Sequence, residues 1–140
     1  MSGMAFCECE GYIVVCHCSA NPTRGEWEEY LRYVRERVPT VLGTLVMTAG
    51  GSPNSVQRKA LAGVVGERRP PVAIVTDSPI ARGAITAFGW LGLTRMKPFA
   101  PTSIQDALDY LGVEPAKRHL VLAQLTRLNH YFAQEAAKTG

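Results

Sequence analysis

Side chains able to do chemistry collect at three places in this chain. Cys7, Cys9, Cys16 and Cys18 stand near the start as C-x-C-x6-C-x-C, with His17 between the last two. Thiolates and imidazoles ligate metals and carry redox chemistry, but structural zinc sites are built on C-x2-C pairs, a spacing absent here. Gly50-Gly51-Ser52-Pro53-Asn54-Ser55 and Asp77-Ser78-Pro79, followed by Arg82, each have the form of a turn opening a helix. Backbone N–H groups at helix starts attract anions, glycines admit a ligand close to the backbone, and Arg82 could pair with phosphate or carboxylate. The same groups have an ordinary duty, since serine and aspartate cap helices and proline presets the first helical residue. His119 and His130 lie eleven residues apart on the last helical stretch.

These groups do not assemble into a catalytic motif. No Ser-His-Asp or Cys-His arrangement can be traced, and Asp77 is a lone carboxylate at a strand end. The Gly-Gly turn is not followed by G-x4-G-K-[ST], so nucleotide hydrolysis has no motif behind it. We therefore expect no enzyme activity, no catalytic residue, no bound metal and no cofactor. Gly50, Gly51, Ser52, Asn54, Ser55, Asp77, Ser78 and Arg82 are the candidate ligand- or partner-binding residues.

The elements that must hold these residues follow from pattern. Met4–Cys9 and Tyr12–Cys18 form a hairpin about Glu10-Gly11, pairing Cys9 with Tyr12 and Cys7 with Val14, so that all four sulfurs share one sheet face. Free cysteine on a strand behaves as a small hydrophobe, and core packing is the first expectation for all four. Thr23 and Glu26 form a capping box for a helix carrying Trp27, Tyr30, Leu31, Val34 and Val38 to Pro39. Leu42–Thr48 is a strand, Ser52 caps a helix begun by Pro53 that runs through Val56, Ala60 and Val64, and Gly66 ends it. Val72–Thr76 is a buried parallel strand. Ser78 and Pro79 start a helix with Ile80, Ala84, Ile85, Phe88 and Leu91, and Trp90 near its end is either a surface patch or a packing plug. Residues 95–99 form a short strand that Pro98 places at an edge. Thr102 and Gln105 make a second capping box, with Ile104, Ala107, Leu108 and Leu111 on one face. A last helix runs from Pro115 to about Lys138 along a seam of Val121, Leu125, Leu128 and Phe132.

With 140 residues, 46% of them apolar, the chain has the size and composition of one globular α/β domain. Residues 1–112 make the α/β unit and 113–140 a helical extension of it. The alternation of elements makes a mixed four- or five-stranded sheet with helices packed against it. A net charge of +3, with basic residues scattered, gives no ground for nucleic acid. Arg32, Arg35 and Arg37 interleave with Glu28, Glu29 and Glu36 as a solvated helix face. No stretch is apolar enough to span a bilayer, and no leader or myristoylation pattern opens the chain, so a cytoplasmic location is expected.

Two segments carry a resemblance to a known family. VAIVTDSPIARG is similar to the strand-to-helix turn of uncharacterised bacterial STAS-like proteins, and PFAPTSIQDALDYLG to the phrase that closes that domain. From Tyr12 to about Leu111 the chain resembles a STAS-type domain, the SpoIIAA-like fold of anti-sigma-factor antagonists. The resemblance implies a small regulatory or scaffolding module that binds a partner protein, and in some members a nucleotide or lipid. In the phosphoswitch members a serine after an aspartate, at the helix following the central strand, is phosphorylated. Ser52 or Ser55 falls near that place as a possible phosphoacceptor, without the aspartate.

The reading that results is a non-enzymatic cytoplasmic regulator or scaffold. It would bind a protein partner through Ser52–Arg58 and Ser78–Arg82 or through the last helix. The seam of that helix packs on its own sheet or pairs with another chain. Homo-oligomerisation is expected, with Val121, Leu125, Leu128, Tyr131 and Phe132 as the interface. The alternative is a small-ligand or anion module at the two helix starts, and a metal or redox role for the cysteines is a third.

Overall fold

Glu10 and Gly11 both have positive φ, 54° and 87°, which is the two-residue turn whose twist matches a hairpin. It joins β1 (Met4–Cys9) to β2 (Tyr12–His17), and Cys9 pairs with Tyr12 and Cys7 with Val14, as the period of two requires. The computed structural model describes residues 3–90 and 95–139 of the chain. After the hairpin come α1 (Arg24–Arg37), β3 (Gly43–Thr48), α2 (Ser55–Val65), β4 (Val72–Val75), α3 (Pro79–Trp90), β5 (Met96–Phe99), α4 (Ile104–Leu111) and α5 (Arg118–Thr139). The sheet is mixed, in the order β1-β2-β3-β4-β5, with β1 antiparallel and the other neighbours parallel. Pro98 lies in β5, an edge strand, where its missing N–H costs no ladder bond. The expectations for Leu91 and for the side chains of Phe88 and Trp90 lie outside what is described.

Three crossovers advance along the sheet in one direction, and right-handed crossovers of that kind put α1, α2 and α3 on one face. The other face is covered by α4 and α5. There Tyr12, Val14 and Cys16 of β2 meet Leu45, Ala73, Val75 and Phe99 of the next strands under Leu108, Leu111, Val121, Leu125 and Leu128. The α5 seam thus packs on its own sheet: Val121, Leu125 and Leu128 are buried and Phe132 packs against the same cluster. Using that seam as an interface would require α5 to leave the sheet. Leu120 and Tyr131 remain exposed.

The α1 face is built unevenly. Ile13, Val15 and Met4 are fully covered by Trp27, Tyr30 and Val34 of α1. Phe6 adds edge-on ring contacts to Tyr30 and Tyr33, and Trp27 Nε1 donates to the Gln57 carbonyl to tie α1 to α2. Farther along the sheet the packing thins. Val46, Val72, Ile74, Met96 and Pro98 are only half-buried, and α2 has no buried residue, reaching the core with Leu61, Val64 and Val65 alone.

Two local readings are corrected. α2 starts at Ser55 and its cap is Asn54, not Ser52, because Asn54 and Gln57 form a reciprocal capping box. Thr102 and Gln105 form no cap, since a 3-10 turn occupies Pro101–Ser103 and Gln105 Oε1 accepts from Arg118 instead. The Thr23–Glu26 box forms as expected.

The imbalance between faces is measurable by urea unfolding. Leu108→Ala, on the dense face, should lose about 3 kcal/mol. Leu61→Ala, on the thin one, should lose about 1 kcal/mol.

Candidate functional site

Gly51, one of the two glycines expected to admit a ligand, is closely approached by the chain's own backbone. Gly51 N–H donates to the Cys18 carbonyl at 2.8 Å. A Cβ on Gly51 would fall inside contact distance of the Ala20 carbonyl oxygen and 2.6 Å from that of Cys18. Gly50 has φ +130°, a conformation strained for any other residue. The Ser52 N–H is taken by Asn21 Oδ1 at 3.0 Å, and Thr48 Oγ1 accepts from Gly50 N–H. The loops after β2 and β3 are therefore laced together across the carboxyl end of the sheet. The hydroxyls of Ser52 and Ser55 stand on exposed residues beside this lacing.

Asp77, Ser78 and Arg82 lie at the carboxyl end of β4. The connections after β4 and β5 leave toward opposite faces, the topology that opens ligand crevices in α/β sheets. Here the polar groups are engaged internally. Ser78 Oγ caps α3 by accepting from Ala81 N–H at 3.2 Å, as expected from Ser78-Pro79. Arg82 Nη1 donates to the Thr76 carbonyl at 2.8 Å. Asp77 is exposed and brings a negative charge that opposes an anion at this point.

Cys7, Cys9 and Cys16 do share a sheet face, packed in or against the cluster under α4 and α5. Cys16 Sγ lies 3.8 Å from the Leu125 carbonyl and Cys7 Sγ 3.8 Å from Gln124 Oε1. Burial pushes the Cys16 thiol up to about 12 and raises that of Cys9, so both are held as poorly nucleophilic thiols. Cys18 lies one residue past β2, where its sulfur accepts from Ala20 N–H. Among the described residues no three or more His, Cys, Asp or Glu side chains are arranged to hold a metal ion.

His17 is buried between Met4 and Thr48, its strand neighbours, and Nδ1 has no hydrogen-bond partner. Burial lowers its pKa to about 4, outweighing the attraction of Glu26. That imidazole is neutral and enclosed at neutral pH. His119 and His130 stand exposed on α5. Glu26 does more than cap α1: its carboxylate also accepts from the Gly3 and Met4 amides, tying the start of the chain to the helix. Those bonds outweigh its burial and lower its pKa.

Sequence reasoning placed Val56 and Ile80 on helix faces but missed how open they are. Val56 is 75% exposed and Ile80 86%, both in the first turn of their helices. Val56 also walls a groove of about 470 Å3 between α1 and α2, with Trp27, Leu31 and Ala60 as its apolar lining and the Arg24–Glu28 pair at its rim. The signal was present in the caps. Asn54-x-x-Gln57 and Ser78-Pro79 place Val56 and Ile80 at the same position, two residues past each cap.

Gly51→Ala should cost about 2 kcal/mol or more, because backbone must move to accept the methyl group, while Ser52→Ala should change stability by less than about 0.5 kcal/mol. Thermal unfolding of the two variants checks this. The His17 shift makes the unfolded state the better proton acceptor below pH 6.5, so stability is full above that pH and falls as the pH drops toward 4. Between pH 6.5 and 5 the loss should be about 1.5 kcal/mol. Urea titrations across that range should show His17→Leu losing much less.

No protein-family model, no curated protein and no solved structure matches this chain.

Proposed function

We propose that this chain is a non-enzymatic, cytoplasmic regulatory or scaffolding module of the STAS-like kind that acts by binding another protein. The single observation that carries the reading is the exposure of Val56 and Ile80 at the openings of two successive helices. β-Branched aliphatic side chains left in water at equivalent places, above strands that are only half-covered, favour burial against a partner. The surroundings agree with binding rather than catalysis. The glycine and serine rim is laced to the chain's own loops, the buried thiols are held protonated, and His17 is enclosed. A hairpin followed by three crossover units in chain order supports the STAS-like reading. No helix among the described residues is long and apolar enough to cross a membrane.

The test uses the full chain as bait in reducing buffer. Val56→Asp with Ile80→Asp should reduce retention of a specific partner at least 10-fold. Both sites are exposed and aspartate suits a first helical turn, so the circular dichroism and thermal midpoint should stay within a degree or two of the parent. A partner retained equally by both forms, or no specific partner, contradicts the proposal.

A further inference from the structure

α2 and α3 begin with the same arrangement of side chains. Asn54 caps α2 by accepting from Gln57 N–H, and Ser78 caps α3 by accepting from Ala81 N–H. Two residues past each cap is an exposed β-branched aliphatic, Val56 and Ile80. Four past each is an arginine folded back on the preceding loop: Arg58 Nη1 donates to the Pro53 carbonyl at 2.9 Å, Arg82 Nη1 to the Thr76 carbonyl at 2.8 Å. Six past each is an exposed alanine, Ala60 and Ala84. The aliphatic and the alanine are four apart, so each pair shares one helix face. Because both helices return over neighbouring parallel strands, they run in the same direction, with Val56 and Ala60 on the side of α2 that borders α1. The structure therefore presents one apolar-and-arginine unit twice.

Charge separates the candidate occupants. α2 and α3 carry Arg58, Lys59 and Arg82 and not one carboxylate. Residues 43–105 hold seven lysines and arginines against two carboxylates, Glu67 and Asp77, whereas residues 1–42 hold four against six. A second copy docked by the same face would set these cations against their own counterparts, which is repulsive. A partner with alternating apolar and acidic side chains meets both features at once.

We propose that α2 and α3 together form the docking surface for an acidic, amphipathic segment of a partner protein. Its apolar side chains rest on Val56–Ala60 and Ile80–Ala84, and its carboxylates face Arg58 and Lys59, away from Asp77. The inference rests on the reading that the chain acts by binding protein, and it adds the chemistry of the partner.

The test is selection from a displayed random-peptide library against the full chain at low salt, with each selected peptide then measured by fluorescence anisotropy. Peptides of net negative charge with spaced apolar residues should be enriched. Their affinity should fall at least 10-fold in Val56→Asp with Ile80→Asp, at least 3-fold in Lys59→Glu, and several-fold between 50 and 500 mM NaCl. Selected peptides that are neutral or basic, yet lost in the double variant, overturn the acidic partner and leave the protein-binding reading standing. Peptides that bind the double variant as well as the parent, or no enrichment, overturn the docking surface and with it the observation behind that reading. Binding to phosphatidylserine-containing vesicles without peptide selection, or a mass that doubles in the parent and not in the double variant, reassigns the face to a membrane or to a second copy and overturns the proposal.

Discussion

Every residue of β2 is buried, and the rest of the molecule is arranged to keep it so. A strand with Tyr12, Val14 and Cys16 on one side and Ile13, Val15 and His17 on the other needs cover on both faces. The hairpin supplies one flank through β1 and the first crossover supplies the other through β3. α1 covers one face and α5 the other. This requirement explains why α5 lies across β1 and β2 rather than standing away from the domain, and why three of the four cysteines are packed under it. It also explains the enclosed imidazole of His17, the last residue of a strand that offers no exposed side.

Cover weakens with distance from β2, and it does so on one face only. Beneath α4 and α5, Leu45, Ala73 and Val75 are fully buried out to β4. On the opposite face Val46, Val72, Ile74, Met96 and Pro98 are half-covered, although Thr44 is buried, and α2 has nothing fully buried. Hydrophobic stabilisation scales with area removed from water, so α2 is held by fewer contacts than α4 and α5. The reciprocal Asn54–Gln57 cap and the Trp27–Gln57 bond keep α2 formed and attached to α1 while its apolar first turn stays open. An ordered helix with an uncovered apolar turn meets a partner without first having to fold, which lowers the entropy lost on binding.

Much of this was legible in the sequence, and the exceptions have a common cause. The hairpin register follows from strict alternation across Glu10-Gly11, and the Thr23–Glu26 box and Ser78-Pro79 start are local signals that local bonds satisfy. Ser52 was legible only as a capping residue. Its amide is claimed by Asn21, thirty-one residues earlier, and the cap passes to Asn54. Gln105 likewise goes to Arg118, which comes from the next helix. Gly50-Gly51 announced a close approach, and at Gly51 the Ala20 and Cys18 carbonyls make one. Helical periodicity put Val56 and Ile80 among apolar positions. It could not show that the helices lie so that these two miss the sheet. Some of these misreadings turn on long-range contacts, as at Asn21 and Arg118, and others on a stronger local competitor, as with the Asn54–Gln57 box.

The account stands on the claim that the α2–α3 layer is incomplete in the isolated chain. Native-state amide hydrogen exchange, resolved by residue across increasing urea, measures this directly. The account predicts that α2 amides exchange through an opening well below the global unfolding free energy, while those of β2, α4 and the first half of α5 exchange only on global unfolding. Equal protection of α2 and α4 would contradict it, because the layer would then be complete without a partner.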